Sequence, residues 1–371
     1  MGEPLKKQFD RAVPRAIAEQ VSRVWAGFQA ERFLADVLKG YDALELMDRG
    51  RTIGNALRRH LPHEYPAALD VLMRSIREPH SGHKLRGGMA AFYYMPHTSF
   101  IASNGLDHFE LSMKAQHELT QLFTAEFSIR PFIEKYEQKS LDLLCTWASD
   151  PSADVRRLVS EGTRPRLPWG TRLRSFQKDP APVIALLEML KDDESLYVRR
   201  SVANNLNDIG KDHPDVLVKT AKRWMKGATD ERRALVRHAL RSLVKQGNAD
   251  ALAILGFGAS VDVVMENVSV SPRRVPSGGR VTVSFAIRSQ SRRRQRILVD
   301  FRIHFVKANG SSSPKVFKLK SVDLKAGESA NFRKSVTLGD LTTRKHYPGV
   351  HAVDVLVNGL VIPAGAFTLK R

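Results

Sequence analysis

The spacing of apolar residues changes once along this chain, and that change limits the folds open to it. From about Arg15 to Phe257 they recur every three or four positions, as in Ile17, Val21, Val24, Trp25 and Phe28, or Leu141, Leu144, Cys145 and Ala148. That is helical periodicity. From Val261 onward they alternate instead, as across 281–287, 298–303 and 353–357. Turn signals separate those runs at Ser277-Gly278-Gly279, Asn309-Gly310, Ala326-Gly327 and Asn358-Gly359. A helical stripe and an alternating strand bury different surfaces, so the two patterns belong to different layers. The sequence predicts an all-α domain over residues 1–258 and an all-β domain over 261–371.

Six or seven short strands fit in the second part, which is the strand count of an immunoglobulin-like sandwich. A single cysteine, Cys145, rules out an internal disulfide framework there and any cysteine-rich zinc site. The first part carries an internal repeat. Residues 150–157 (Asp-Pro-Ser-Ala-Asp-Val-Arg-Arg), 193–200 (Asp-Glu-Ser-Leu-Tyr-Val-Arg-Arg) and 230–238 (Asp-Glu-Arg-Arg-Ala-Leu-Val-Arg-His) share an acidic cap and a Val-Arg step opening a helix. Val155, Val198 and Val236 recur at the period of HEAT-like helix pairs, which stack into a curved solenoid.

Fifty-nine Lys and Arg against 39 Asp and Glu give a net charge of +20, so a polyanion is the first partner to consider. Residues 261–371 hold 20 basic and 7 acidic residues and are the more basic part. Their densest run, Arg292, Arg293, Arg294 and Arg296, contains no acid and offers guanidinium groups to a phosphate backbone; the plainer alternative is a solvated loop.

On the second helix of each repeat, steps of four from the repeat valine fall on one face. That face holds Arg157 and Glu161, then Arg200, Asn204 and Asp208. Residues 117–126 read as a preceding helix ending before Pro131, which puts Glu126 in line with Glu161. Carboxylates oppose phosphate binding, so three in one basic groove suggest a task such as stabilising a developing positive charge. Pairing with neighbours is the alternative: Glu126 with Arg130 and Glu161 with Arg157, with no obvious partner for Asp208. Arg156, Arg199 and Arg237 read mainly as scaffold pairs for the acidic caps. Two prolines and Trp169 interrupt the repeat within 161–170, placing an indole near the groove, either for stacking on a ligand or as a lid on the core.

Nucleotide-phosphate loops, dinucleotide fingerprints and Gly-x-Ser-x-Gly are absent. His117-Glu118 starts like a metalloprotease helix, but Gln121 stands where the second histidine belongs. His60/His63 and His80/His83 are spaced for chelation, yet Pro62 breaks the register and no cysteine supports them, so no metal and no cofactor is expected. The first residues lack an apolar core of signal-peptide length, and no apolar run is long enough for a membrane span. A cytoplasmic protein is expected.

Taken together, residues 123–132, 154–170 and 198–208 resemble the DNA alkylation repair glycosylases built of HEAT-like repeats, in particular the AlkC type with a C-terminal immunoglobulin-like domain. The segment from Arg157 to Gly170 is the most specific part. The resemblance implies a monofunctional glycosylase of base excision repair. It would hydrolyse the N-glycosidic bond of cationic bases such as 3-methyladenine and 3-methylcytosine in duplex DNA, without metal and without base flipping. It further implies that Glu161 and Asp208 stabilise an oxocarbenium-like sugar and position water, that Glu126 supports them, and that Trp169 contacts the lesion nucleotide. Arg156, Arg157, Arg164, Arg166, Arg200 and Asn204, with the arginines at 292–296, become the candidates for DNA contact. A monomer is expected because the groove must stay open. The rival reading is a non-catalytic HEAT-repeat scaffold that binds DNA or a protein partner.

Overall fold

The computed structural model describes residues 5–77, 92–258, 261–340 and 345–370, and divides into two compact units, residues 1–212 and 213–371. Among the described residues no helix is long and apolar enough to cross a membrane.

The described residues of the first unit form helices joined by turns. Its repeat helices, Ala153–Gly162 and Leu196–Ile209, pack directly on each other. Both begin the same way. The carboxylate of Asp150 accepts the Ser152 N–H at 2.8 Å, and that of Asp193 accepts the Ser195 N–H at 2.8 Å, so each acid forms a turn that aims the chain into its helix. From there Val155, Leu158 and Val159 in one helix, and Val198, Val202 and Leu206 in the other, are fully buried. Each contributes about 1.5–3 kcal/mol by leaving water. The arginine after the repeat valine folds back on its own cap: Arg156 Nη1 donates to the carbonyls of Asp150 and Pro151 (2.9 and 3.0 Å), and Arg199 Nη1 to those of Asp193 and Glu194 (2.6 and 2.8 Å).

Two helical expectations need correction. The third repeat lacks the shared opening, because Thr229 is its N-cap, accepting the Arg232 N–H at 3.3 Å, and Asp230 is already helical. Residues 117–126 are not one helix. The Phe109–Leu119 helix stops there, the chain runs through turns, and Pro131 sits in the first turn of the Arg130–Lys135 helix. A proline needs no N–H at that position, so it opens the next helix rather than ending the previous one.

Among its described residues the second unit joins four helices, Pro214–Trp224, Asp230–Ala239, Arg241–Lys245 and Ala249–Ile254, to eight strands. These are β1 (Val263–Ser271), β2 (Arg274–Pro276), β3 (Arg280–Ser289), β4 (Gln295–Val306), β5 (Ser312–Leu324), β6 (Ser329–Thr337), β7 (Gly349–Val357) and β8 (Leu360–Lys370). One sheet has the order β1-β3-β6 and the other β2-β8-β7-β4-β5, antiparallel except for the parallel pair β2–β8. The eighth strand beyond the expected six or seven is accounted for by β2, whose three residues are too few to show alternation. Alternate residues Val281, Val283, Phe285 and Ile287 of β3 meet Val299, Phe301 and Ile303 of β4 and Val353, Val355 and Val357 of β7 in one core.

The change from helix to strand falls between Ile254 and Val263, whereas the compact units divide after Asp212. The last helices group with the sandwich for identifiable reasons. Asn358 Nδ2 donates to the Gly258 carbonyl at 3.2 Å, and the Arg296 guanidinium lies 5.0 Å over the Phe257 ring. Gly247 and Gly359 touch backbone to backbone.

Candidate active site

A cleft of about 1030 Å³ opens in the first unit. Phe123, Thr124 and Glu126 come from the turns after the Phe109–Leu119 helix, Arg157 and Glu161 from the first repeat helix, Arg164 and Trp169 from the segment after it, and Tyr197 from the second repeat helix. Leu167, Pro168 and Phe92 supply apolar wall.

Glu126, Glu161 and Asp208, aligned by the sequence, lie in one charged ladder. Arg157 Nη2 is 2.6 Å from Glu126 Oε2 and 3.7 Å from Glu161 Oε1. Arg164 Nη1 donates to Glu161 Oε1 at 2.6 Å, and its Nε to Asp208 Oδ2 at 2.7 Å. Lys211 reaches the other Asp208 oxygen at 2.7 Å. Three carboxylates thus alternate with three cations, and all three carboxylates are buried. Burial works against the charge on Arg157 and Arg164, but the adjacent carboxylates outweigh it and raise both guanidinium pKa values above the usual arginine range.

The acids are not equivalent. Glu161 and Glu126 line the cleft, whereas Asp208, 1% exposed, stands behind Arg164. Glu161 is held at both oxygens, since Ser201 Oγ donates to Oε2 at 2.6 Å. Glu126 comes from a turn, where the Thr124 hydroxyl donates to it at 2.8 Å. The pairing Glu126 would have made with Arg130 is made with Arg157 instead. Glu161 takes Arg164 as its nearer partner rather than Arg157.

Arg130 has another job, which local sequence did not reveal. Its fully buried guanidinium gathers the carbonyls of Gly162 (2.8 Å), Arg164 (2.9 Å) and Thr171 (2.8 Å). Burial pushes its pKa down to about 10. Those carbonyls bracket the segment that carries Arg164 and Trp169, so one side chain fixes its path. Trp169 is 84% exposed beside the cleft, not packed as a lid, and its backbone is left-handed at φ 64°, a conformation costly for an aromatic residue.

The arginines considered for DNA contact divide by partner. Arg156 Nε meets Asp193 at 2.6 Å, Arg166 Nε meets Asp212 at 2.8 Å, and Arg157 and Arg164 belong to the ladder. Their partners stand as far as 46 residues away in sequence, beyond helix-surface reasoning. Arg200 is exposed on the second repeat helix and Asn204 half-buried one turn later. In the sandwich, Arg292 and Arg293 are exposed in the β3–β4 turn, while Arg294 lies 3.4 Å from Asp323 of β5. The run contains no acid, but strand pairing supplies one, since Asp323 lies opposite Arg296.

Among the described residues no three His, Cys, Asp or Glu side chains gather as a metal-binding group. His60 Nε2 lies 3.2 Å from Asp36 and His63 Nδ1 3.1 Å from Glu64, while His80 and His83 lie outside the described residues.

The relatives of this arrangement are specific. Over the whole of both chains, the fold matches the alkylpurine DNA glycosylase AlkC of Pseudomonas fluorescens, solved bound to DNA containing an abasic site analogue, with a TM-score of 0.92 and 38% identity. The chain belongs to the AlkC family. A relative in Bacillus subtilis (strain 168), the uncharacterized protein YhaZ, is 36% identical over 358 residues, covering 96% of this chain and 97% of its own. Residues 264–371 match the family described as the C-terminal Ig-like domain of YhaZ, the part of the AlkC architecture formed here by β1 to β8.

Proposed function

We propose that the chain is a DNA glycosylase that removes cationic alkylated bases, 3-methyladenine and 3-methylcytosine among them, from duplex DNA. The observation that carries this reading is Glu161, a buried carboxylate fixed at both oxygens that still lines an open cleft beside an exposed tryptophan.

A cationic base is already a good leaving group. When the C1′–N bond breaks, its electron pair neutralises the positive ring, so no general acid is required. What remains is a positive charge on the deoxyribose. A carboxylate in a poorly solvated wall stabilises that charge more than water would, without reorganising during the reaction. Glu161 takes this role and accepts the proton of the water that adds to C1′. Asp208 works behind it by holding Arg164, and Glu126 holds Arg157. Trp169 stacks against the lesion nucleotide from the rim.

Reaching the sugar from the groove does not require extruding the base into a deep pocket, and an open cleft with an exposed indole suits that approach. The exposed Arg200, with Arg292 and Arg293 of the sandwich, are the first candidates for phosphate contact, because the guanidinium groups of Arg156, Arg157, Arg164 and Arg166 are engaged by carboxylates. The test is release of free base from methylated duplex DNA by the purified chain under single-turnover conditions. Release supports the glycosylase reading. Binding without release would leave a DNA-binding scaffold.

A further inference from the structure

Arg157 stands one helical turn before Glu161, the spacing at which an arginine and a glutamate ordinarily pair. Here the pair is only a long one. The guanidinium stays 3.7 Å from Glu161 and turns instead to Glu126 at 2.6 Å and to the Thr124 hydroxyl at 2.9 Å. Glu161 already has one arginine at 2.6 Å. Arg157 is already within ion-pair distance of the same oxygen, and closing further would weaken the negative charge that the proposed reaction needs.

Glu126 and Thr124 anchor Arg157 there, and the adjacent repeat adds a further contact. Tyr197, the second residue of the Leu196–Ile209 helix, places its ring 5.0 Å from the Arg157 guanidinium carbon. The ring also lines the cleft and is 48% exposed. Cation–π attraction favours a guanidinium lying over that face.

We propose that Tyr197 is a positioning residue for Glu161: its ring keeps Arg157 on Glu126 and Thr124, and so preserves the carboxylate charge facing the cleft. The inference rests on the glycosylase reading. Without the ring, Arg157 is free to swing one turn along its own helix and close on Glu161. The hydroxyl of Tyr197 has no part in this, so phenylalanine should serve as well as tyrosine.

The test uses the full chain and DNA containing 3-methyladenine, comparing wild type, Tyr197→Ala and Tyr197→Phe for single-turnover base release and for affinity toward an abasic-analogue duplex. Tyr197→Ala is expected to slow release about tenfold, with affinity within about twofold of wild type, and Tyr197→Phe to restore most of the rate. In an Arg157→Met background, which leaves no guanidinium to restrain, Tyr197→Ala should cost nothing further. Parallel loss of rate and affinity would overturn the proposal in favour of direct contact with DNA. So would an unrescued Phe variant, an unchanged Ala variant, or a further decline in the Arg157→Met background. A wild type that releases no base would instead sink the glycosylase reading itself, before any variant is compared.

Discussion

Arg164 closes on a single oxygen of Asp208 with both Nε and Nη2, each at 2.7 Å, across 44 residues of sequence. The same guanidinium reaches Glu161 from its remaining edge. Asp208 therefore stands behind the residues that line the cleft. Asp208→Asn should leave Arg164 and Lys211 short of a buried counter-charge and destabilise the fold by roughly 3–5 kcal/mol. Urea unfolding measures this. A loss under about 1 kcal/mol would mean that Arg164 finds another partner.

Arg130→Lys tests the segment that carries Arg164 and Trp169. One ammonium cannot reproduce the planar fork that meets the carbonyls of Gly162, Arg164 and Thr171. The expected cost is roughly 2–4 kcal/mol. Amide exchange should rise most within 162–172. Exchange that rises evenly over the whole unit would count against a local role.

Much of this was legible in the sequence, and the parts that were not share a cause. Spacing alone aligned Glu161 with Asp208, because both sit on a helix face whose period is fixed. It also located the helix-to-strand change and the four turns, because Gly and Asn at turn positions mark them. Spacing misread residues 117–126, whose apolar pattern continues past Leu119 although the chain turns there. The sequence paired Arg130 with Glu126 and gave Tyr197 no role, because their actual partners come from other segments: the carbonyls that Arg130 gathers lie 32 to 41 residues away. No local pattern records such contacts.

His97, wholly buried beside Tyr93 and Tyr94, gives the fold an acid limit. Burial, only partly offset by the Tyr94 backbone, pushes its pKa down to about 3 from 6.5. Between those values the unfolded chain binds a proton that the folded chain does not, so stability is present above pH 6.5 and is lost as pH falls toward 3. The slope approaches about 1.4 kcal/mol per pH unit from this residue alone. His97→Leu should flatten that part of a stability-against-pH curve measured by urea titration. An unchanged slope would show that other groups set it.

Gly247 and Gly359 fasten the last helices to the sandwich, with φ of 76° and 84°. A Cβ on Gly359 would meet the Gly247 Cα and carbonyl oxygen at 2.7 Å. Gly359→Ala should lower stability by roughly 1–3 kcal/mol, from left-handed strain and from the clash. Calorimetry on the full chain would show this as an earlier transition. An unshifted transition would mean the hairpin can back away without loss.

In the proposed reaction Glu161 provides the charge that parts a cationic base from its sugar. Single-turnover release of 3-methyladenine by Glu161→Gln, run beside abasic-analogue binding, addresses it most directly. Release should be slower by about a hundredfold or more, roughly 2.7 kcal/mol of lost transition-state stabilisation, with DNA still bound. Release by the folded variant at the wild-type rate would contradict it.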